Sequence, residues 1–253
     1  MDALAVQSTW GVALERRLVR RARLLDAISA SGRHTVLLVA PAGYGKTTLA
    51  RQWLVEMGGE WIELSVGSSD VPVLARELAG ALVKLAGLDV GRVEAALSAA
   101  KAPPDQARTV AHTILSQIRS PLDTWLVLDD YHVLSSNPAS EELIGLLERS
   151  GRFKLLVTSR ERPSWATSRR QVHLDMLELG RNELALDENE VAELIPSGKL
   201  SAALKRQAGG WPAVIGLAAH VDSLSLPSGI DALSAALYDY FAEELYEPSL
   251  LAR

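Results

Sequence analysis

Residues 35–54 read TVLLVAPAGYGKTTLARQWL, and three successive patterns in this stretch decide the fold. The apolar run over residues 35–40 predicts a strand that is buried on both faces, as in a parallel sheet. After the turn PAGYGK, Leu49, Trp53 and Leu54 recur at helical spacing, which predicts a helix with one apolar face. A strand, a glycine-rich turn and a helix in this order are typical of a loop that binds phosphate groups.

The bulk composition indicates a soluble protein with enough apolar material for a sizeable core. The chain has 253 residues, of which 48% are hydrophobic and 23% are charged, so we expect one α/β domain plus a smaller piece. The formal net charge is -5 at pH 7, and no block of like charges is long enough to attract nucleic acid. Direct binding of DNA or RNA by this segment is therefore disfavoured.

The absence of cysteine excludes disulfides, thiol catalysis and cysteine-ligated zinc. The first residues lack the continuous apolar core of a signal peptide, and charges interrupt every stretch that approaches about 18 apolar residues. We therefore predict no signal peptide and no membrane span, and we expect a cytoplasmic protein.

Further apolar runs alternate with helical patterns downstream. They predict strands at residues 61–65, 125–128 and 154–159, and a fifth around 172–177. The prolines of KAPPDQ, residues 101–106, predict a loop before the helix TVAHTILSQI. Because strands that alternate with helices imply parallel pairing, the fold class is α/β: a three-layer P-loop fold with about five parallel strands.

From about Asn182 the pattern changes to helices alone. We predict a P-loop domain over residues 1–180 and a small helical domain over residues 181–225. A further helix, DALSAALYDYFAEEL, comes shortly before the last residue, and so short a segment cannot bury a core of its own. We therefore expect residues 226–253 to begin a third, truncated domain.

The glycine-rich turn supplies the groups that a phosphate-binding loop needs. Gly43 and Gly45 allow a close backbone approach, Lys46 supplies a cation for the β- and γ-phosphates, and a threonine hydroxyl is placed for magnesium. The predicted ATP-binding set is Pro41, Ala42, Gly43, Tyr44, Gly45, Lys46, Thr47 and, toward the α-phosphate, Thr48. Ala40 replaces the first glycine of the pattern G-x-x-x-x-G-K-[ST], where a small residue suffices. The alternative is a turn that only joins a strand to a helix.

Two acids end the predicted strand WLVL. A carboxylate at the tip of a buried parallel strand lies where α/β sheets bind ligands. Asp129 is therefore predicted to hold magnesium, and Asp130 could orient or deprotonate the attacking water. The alternative is a pair of solvated aspartates in a turn. Two adjacent acids favour hydrolysis over simple storage of a nucleotide.

Arg160 directly follows the strand KLLVTS. A cation at this strand tip could reach the γ-phosphate and distinguish ATP from ADP. The alternative is a surface arginine in a polar loop.

The segment GGWP, residues 209–212, has two explanations. Proline in the first turn of a helix, with glycine before it, is a common way to begin a helix and needs no ligand. The other explanation, in which Pro212 packs on the adenine, rests on the resemblance to a known family that is described below. The histidines show no metal-ligand spacing, so we interpret each as a packing or surface residue: His34, His112, His132, His173 and His220.

Several motifs in fixed order resemble the nucleotide-binding module of STAND ATPases, in particular the group of the maltose-regulon activator and the large LuxR-type bacterial regulators. They are VLLVAPAGYGKTTLARQWL, WIELS, WLVLDDYHVL, KLLVTSRERP and QAGGWPAVIGLAA, and they cover roughly residues 14 to 221. The resemblance implies a signalling switch in which an ADP-bound form rests, an ATP-bound form self-associates, and slow hydrolysis of ATP resets the switch.

The resemblance also implies roles for single residues. Lys46 and Thr47 would serve the phosphates and magnesium, and the acids at 129 and 130 would serve magnesium and water. Arg160 matches the sensor arginine, and Pro212 matches a proline that contacts the base in the resting state. Arg21, in VRRARLL, matches an arginine found near the nucleotide.

The same resemblance implies a winged-helix domain, a repeat sensor and a helix-turn-helix, which would carry the contacts to inducer and DNA. Only the opening of the winged-helix part is expected in this chain, over residues 226–253. Two other functions stay open: a nucleotide-binding scaffold without catalysis, and a small-molecule kinase, for which no arginine-bearing lid is visible.

Overall fold

The computed structural model describes residues 19–172, 176–195 and 208–216. The expected beginning of a winged-helix domain, residues 226–253, lies outside the described residues. Within the described ranges, no helix is both long and apolar enough to cross a membrane.

The centre of the fold is a five-stranded sheet in which every neighbouring pair is parallel. Its strands are β1 (Thr35–Val39), β2 (Gly59–Glu63), β3 (Trp125–Asp129), β4 (Lys154–Ser159) and β5 (Leu177–Leu179). They lie in the order β2-β3-β4-β1-β5. The predicted α/β fold with about five parallel strands is confirmed.

Sheet order determines which loops meet. Because β4 lies between β1 and β3, the turn after β1 and the acids after β3 are one strand apart at the same edge. The chain crosses from one side of β1 to the other between β4 and β5, and ligands of open parallel sheets bind at such a switch point. Leu37, Leu126 and Val157, on these three strands, are fully buried and anchor the edge to the core.

Helices flank the sheet along the chain. They are α1 (Ala22–Ser31), α2 (Lys46–Met57), α3 (Val71–Ala86), α4 (Val90–Ala99), α5 (Pro103–Gln117), α6 (Pro138–Arg149), α7 (Ser168–Val172), α8 (Arg181–Leu184) and α9 (Glu188–Leu194). Short 3₁₀ turns follow β2 at Val66–Ser69 and β3 at Tyr131–Ser136. Residues 212–216 form one more helical turn.

Two local predictions were wrong. The prolines of residues 101–106 do not make a loop up to the predicted helix, because α5 begins at Pro103, where a missing backbone N–H costs nothing. The predicted strand around 172–177 is displaced, since β5 pairs with β1 only from Leu177 onward. The chain before it forms α7, where Arg170 Nη2 donates to the buried Glu148 of α6 at 2.9 Å and holds this segment against a helix.

The chain divides into two compact units. The sheet unit comprises Ala22–Pro41 and Gly45–Leu184. In the described ranges, the helical unit comprises residues 19–21, 42–44, 185–195 and 208–216. Its small core consists of Leu186, Val191, Ile195, Ala208, Val214 and Ile215.

Candidate functional site

The turn between β1 and α2 needs its glycines. Gly43 has φ 77° and Gly45 has φ 72°, which lie in the left-handed region that side chains disfavour. Gly45 is the N-cap of α2, and its carbonyl accepts the hydrogen bond from Leu49 N at 2.9 Å. The backbone N–H groups in the first turn of α2 have no hydrogen-bond partner within the helix, and such N–H groups at a helix N-terminus can bind anions.

Lys46 is buried at the start of α2, with 7% of its surface exposed. Its ammonium group donates to Ala40 O at 2.8 Å and to Pro41 O at 3.0 Å. A buried cation is tolerable only with such partners. The two carbonyls fix the ammonium group beside the carboxyl end of β1, where the sequence predicted a phosphate-binding cation.

Two threonine hydroxyls converge on Asp129 at the end of β3. Thr47 Oγ1 donates to Asp129 Oδ1 at 3.0 Å, and Thr158 Oγ1 of β4 donates to the same oxygen. Asp129 is buried, and burial raises the pKa of its carboxyl group. The hydrogen bond from Thr158 lowers this pKa, the charge of Asp130 raises it, and the hydrogen bond from Thr47 lowers it. The negative charge of the Asp129 carboxylate, which burial disfavours, therefore lies beside the hydroxyl of Thr47.

Asp130 has the opposite environment. It adopts the left-handed conformation with φ 56°, alone in this respect among the non-glycine residues that the structure describes. Its backbone N–H donates to Thr158 Oγ1 at 3.1 Å, and its side chain is 46% exposed. This turn points the second carboxylate toward solvent at the carboxyl edge of the sheet, where a water molecule can reach it.

His132 belongs to this edge, although the sequence suggested only a packing or surface histidine. Its Nδ1 lies 3.9 Å from Asp130 Oδ1, and within the described residues no group forms a hydrogen bond with this buried nitrogen. Burial lowers the pKa of His132, the positive charges of Arg160 and Lys46 lower it further, and the charge of Asp130 raises it. Arg160, which directly follows β4, and Lys46 therefore both act on the charge of His132.

A buried brace connects the chain after β3 to the chain after β4. Trp165 Nε1 donates to Tyr131 Oη at 2.7 Å, and the two rings pack edge to face at 6.0 Å. Glu141 of α6 accepts from Ser164 N at 2.7 Å and from the Ser164 hydroxyl. The brace holds the segment that follows Arg160 against the segment that follows Asp130.

In the helical unit, Pro212 is half-buried and begins the helical turn 212–216. The preceding residue, Trp211, contacts the loop: its Nε1 donates to Ala42 O at 3.2 Å. The sequence singled out the proline and gave no indication of the tryptophan contact.

Arg21 is buried in the same unit. Its Nε donates to Glu190 Oε1 at 2.9 Å, and its Nη2 donates to Ala185 O at 3.1 Å. These contacts give Arg21 a structural role in the helical unit, while its expected proximity to a nucleotide stays a prediction.

The residues at the sheet edge fit magnesium held together with phosphates. Magnesium takes hard oxygen ligands and usually one or two carboxylates, with the remaining ligands from water and phosphate. Thr47 Oγ1 and Asp129 Oδ1 already lie 3.0 Å apart. Within the described ranges, no three His, Cys, Asp or Glu side chains group together as a metal site.

Known proteins resemble this chain in sequence and in fold. No protein-family model matches the chain. The HTH-type transcriptional regulator MalT of Vibrio parahaemolyticus is 26% identical over 245 residues, which are 90% of this chain and 27% of that regulator. MalT of Cronobacter sakazakii is 30% identical over 187 residues, which are 72% of this chain and 20% of the regulator.

Among solved structures, the STAND protein with a tetratricopeptide repeat sensor from Pyrococcus horikoshii matches with a TM-score of 0.57. Its sequence is 18% identical, and the match covers 88% of this chain and 32% of that chain. The chain is a relative of the MalT-type regulators with a STAND-type P-loop ATPase fold. It spans 27% or less of the two MalT relatives described above.

Proposed function

We propose that this chain is the ATP-binding and slowly hydrolysing switch module of a STAND-type transcriptional regulator. The observation that carries the proposal is the convergence of Lys46, Thr47 and Asp129 at one edge of the sheet. Thr47 Oγ1 is 3.0 Å from Asp129 Oδ1, and the ammonium group of Lys46 is fixed at the end of β1. These are the groups that P-loop ATPases use for the phosphates and magnesium.

Each residue at this edge has a chemical role in the proposal. Lys46 and the N–H groups of the loop would bind the phosphates, and Thr47 and Asp129 would hold magnesium. Magnesium, when bound with ATP, supplies positive charge that stabilises the developing charge on the phosphoryl group. Thr158 keeps the carboxylate of Asp129 oriented toward Thr47.

Asp130 would act on the water. Its half-exposed carboxylate can orient a water molecule and accept a proton as the water oxygen bonds to the γ-phosphorus and the bond to the β-phosphate oxygen breaks. His132, whose pKa is lowered, stays neutral near pH 7, and its Nδ1 lies 3.9 Å from Asp130 Oδ1. Arg160 would bind the γ-phosphate and so distinguish ATP from ADP. Pro212 is proposed to contact the base.

We extend the proposal to the switch itself: the ADP-bound form rests, and the ATP-bound form self-associates. Two MalT relatives are named as HTH-type transcriptional regulators, and they are several times longer than the matched region. Contacts to DNA and inducer are therefore proposed for regions of such regulators outside the match.

The proposed division is a P-loop domain over residues 1–180 and a helical domain over 181–225. Light scattering with ADP and with ATP tests the self-association.

The experiment compares wild type with Lys46→Ala by calorimetry with ADP and ATP in magnesium. We expect the substitution to weaken nucleotide binding by at least about a hundredfold, because a charge-assisted contact to phosphate is lost from a buried site. Lys84→Ala is the matched control, since Lys84 is an exposed residue of α3 whose ammonium group pairs with Glu60 of β2. Equal affinity in all three proteins would refute the assignment. Binding without release of phosphate by wild type would leave a scaffold instead of an ATPase.

A further inference from the structure

The strongest unexplained feature lies in the helical unit, where three consecutive loop residues contact the segment GGWPA. Trp211 Nε1 donates to Ala42 O at 3.2 Å, and Ala213 N donates to Gly43 O at 3.0 Å. The ring of Tyr44 stacks on the ring of Trp211, with 5.8 Å between centroids and 17° between planes. Two of these three contacts reach backbone carbonyls, so they act on the course of the loop itself.

The carbonyl contacts determine where two N–H groups point. The described peptide bonds are trans, and in a planar trans peptide the C=O and N–H groups point in opposite directions. The carbonyls of Ala42 and Gly43 face residues 211–213, so the N–H groups of Gly43 and Tyr44 face away from that segment. Backbone N–H groups of this loop are the donors that a phosphate would require.

Trp211 is itself held firmly. Gly210 has φ 76°, and a Cβ atom there would lie 2.7 Å from Leu186 O, so no side chain fits. Leu186 N also donates to Gly210 O at 2.7 Å. Leu186 belongs to the small core of the helical unit, and Trp211 packs against that core. Pro212 lacks an N–H, which makes Ala213 the first donor of the helical turn.

Tyr44 supports the same interpretation. The residue is only 3% exposed, although phosphate binding by the loop requires only backbone at this position. A buried aromatic side chain in a glycine-rich turn is explained if its ring anchors the turn. The stack with Trp211 is that anchor.

We propose that Trp211 is a positioning residue that orients the phosphate-binding peptide groups of residues 43 and 44 and couples them to the core of the helical unit. The inference rests on the proposed nucleotide-binding function. Coupling is reciprocal, so bound nucleotide stabilises the helical unit to the extent that Trp211 strengthens binding. This role differs from a contact with the base, because it acts through the phosphate-binding backbone.

The test uses two probes, ADP with magnesium and inorganic tripolyphosphate, with affinities measured by calorimetry. Trp211→Leu removes both the ring stack and the Nε1 donor, and we expect about tenfold weaker binding of both probes. Trp211→Phe keeps a ring and loses only the donor, so its effect should be intermediate. Trp61→Leu is the matched control, since Trp61 lies on edge strand β2 beneath the guanidinium of Arg51.

A double-mutant cycle with Tyr44→Leu separates positioning from general destabilisation. The double variant should lose less affinity than the sum of the two single losses, because both variants remove one shared stack. Wild-type affinity in Trp211→Leu, or weaker binding of ADP with unchanged binding of tripolyphosphate, would overturn the inference. Failure of the wild type to bind either probe would instead refute the proposed function.

Discussion

Two buried acids, one in each unit, show how differently a carboxylate can be accommodated. Glu190 of the helical unit accepts from the guanidinium of Arg21 at 2.9 Å, so its charge is paired. Asp129 of the sheet unit accepts only from the hydroxyls of Thr47 and Thr158, and in the described ranges no cationic side chain pairs with it. Burial accordingly raises the pKa of Asp129. Glu190 therefore completes a structure, whereas the charge of Asp129 has no cationic side chain to pair with it in the described ranges, as the proposed magnesium site requires.

The largest effect is expected from breaking the pair in the helical unit. Arg21→Met leaves Glu190 buried without its cation, which should destabilise this unit by about 3–5 kcal/mol. Amide hydrogen exchange at residues 185–195 measures the effect. Adding Glu190→Gln should recover part of the loss because the unpaired charge is removed. If exchange is unchanged while ADP affinity falls, Arg21 serves the nucleotide and the structural interpretation is wrong.

Asp129→Asn should separate stability from activity. The folded-state pKa of Asp129 is raised, so its favourable contribution to folding is present below the unfolded pKa and is lost as the pH rises through the folded pKa. Near pH 7 the substitution should therefore leave magnesium-free stability unchanged or higher in urea unfolding. Release of phosphate should fall by at least about a hundredfold, since the proposed metal ligand is lost. Substantial destabilisation would show that this acid is structural, like Glu190.

The smallest effect is expected from removing the hydroxyl of Thr158 on β4. Thr158→Val removes a hydrogen bond that favours the ionised form of Asp129, so the pKa of this carboxyl should rise further. The carboxyl carbon resonance, followed against pH in magnesium-free protein, measures the change. Thr158→Ser keeps the donor and should behave as wild type. If the pKa of the Asp129 carboxyl group is equal in all three proteins, the hydroxyl of Thr158 does not influence this site.

Much of the sheet edge could be predicted because it depends on local patterns. A strand followed by PAGYGKTT places Lys46 and Thr47, and an apolar strand that ends in two acids places Asp129 at the same edge. Thr158 was missed because KLLVTS looks like any buried strand. His132 was missed because its position beside Asp130 depends on the left-handed turn after β3.

The helical unit was less accessible to prediction. Trp211 contacts a backbone carbonyl 169 residues away, and no side-chain pattern reveals which carbonyl is within reach. The Arg21–Glu190 pair has the same sequence separation and the same difficulty. The predictions at residues 101–106 and 172–177 were wrong for another reason. A proline fits the first turn of a helix, so α5 begins at Pro103. The ion pair of Arg170 with Glu148 holds the segment before β5 as a helix.

The left-handed backbone of Asp130 also restricts the evolution of this position. Only Gly, Asn and Asp adopt φ near 56° at low cost, so most other substitutions would be penalised for the backbone before any effect on chemistry. Asn and Gly are each one nucleotide from an Asp codon, and either would keep the turn while removing the carboxylate. With the proposed role of Asp130 in hydrolysis, natural relatives that bind ATP without hydrolysing it are expected to carry Asn or Gly here, a signature that genome surveys can count.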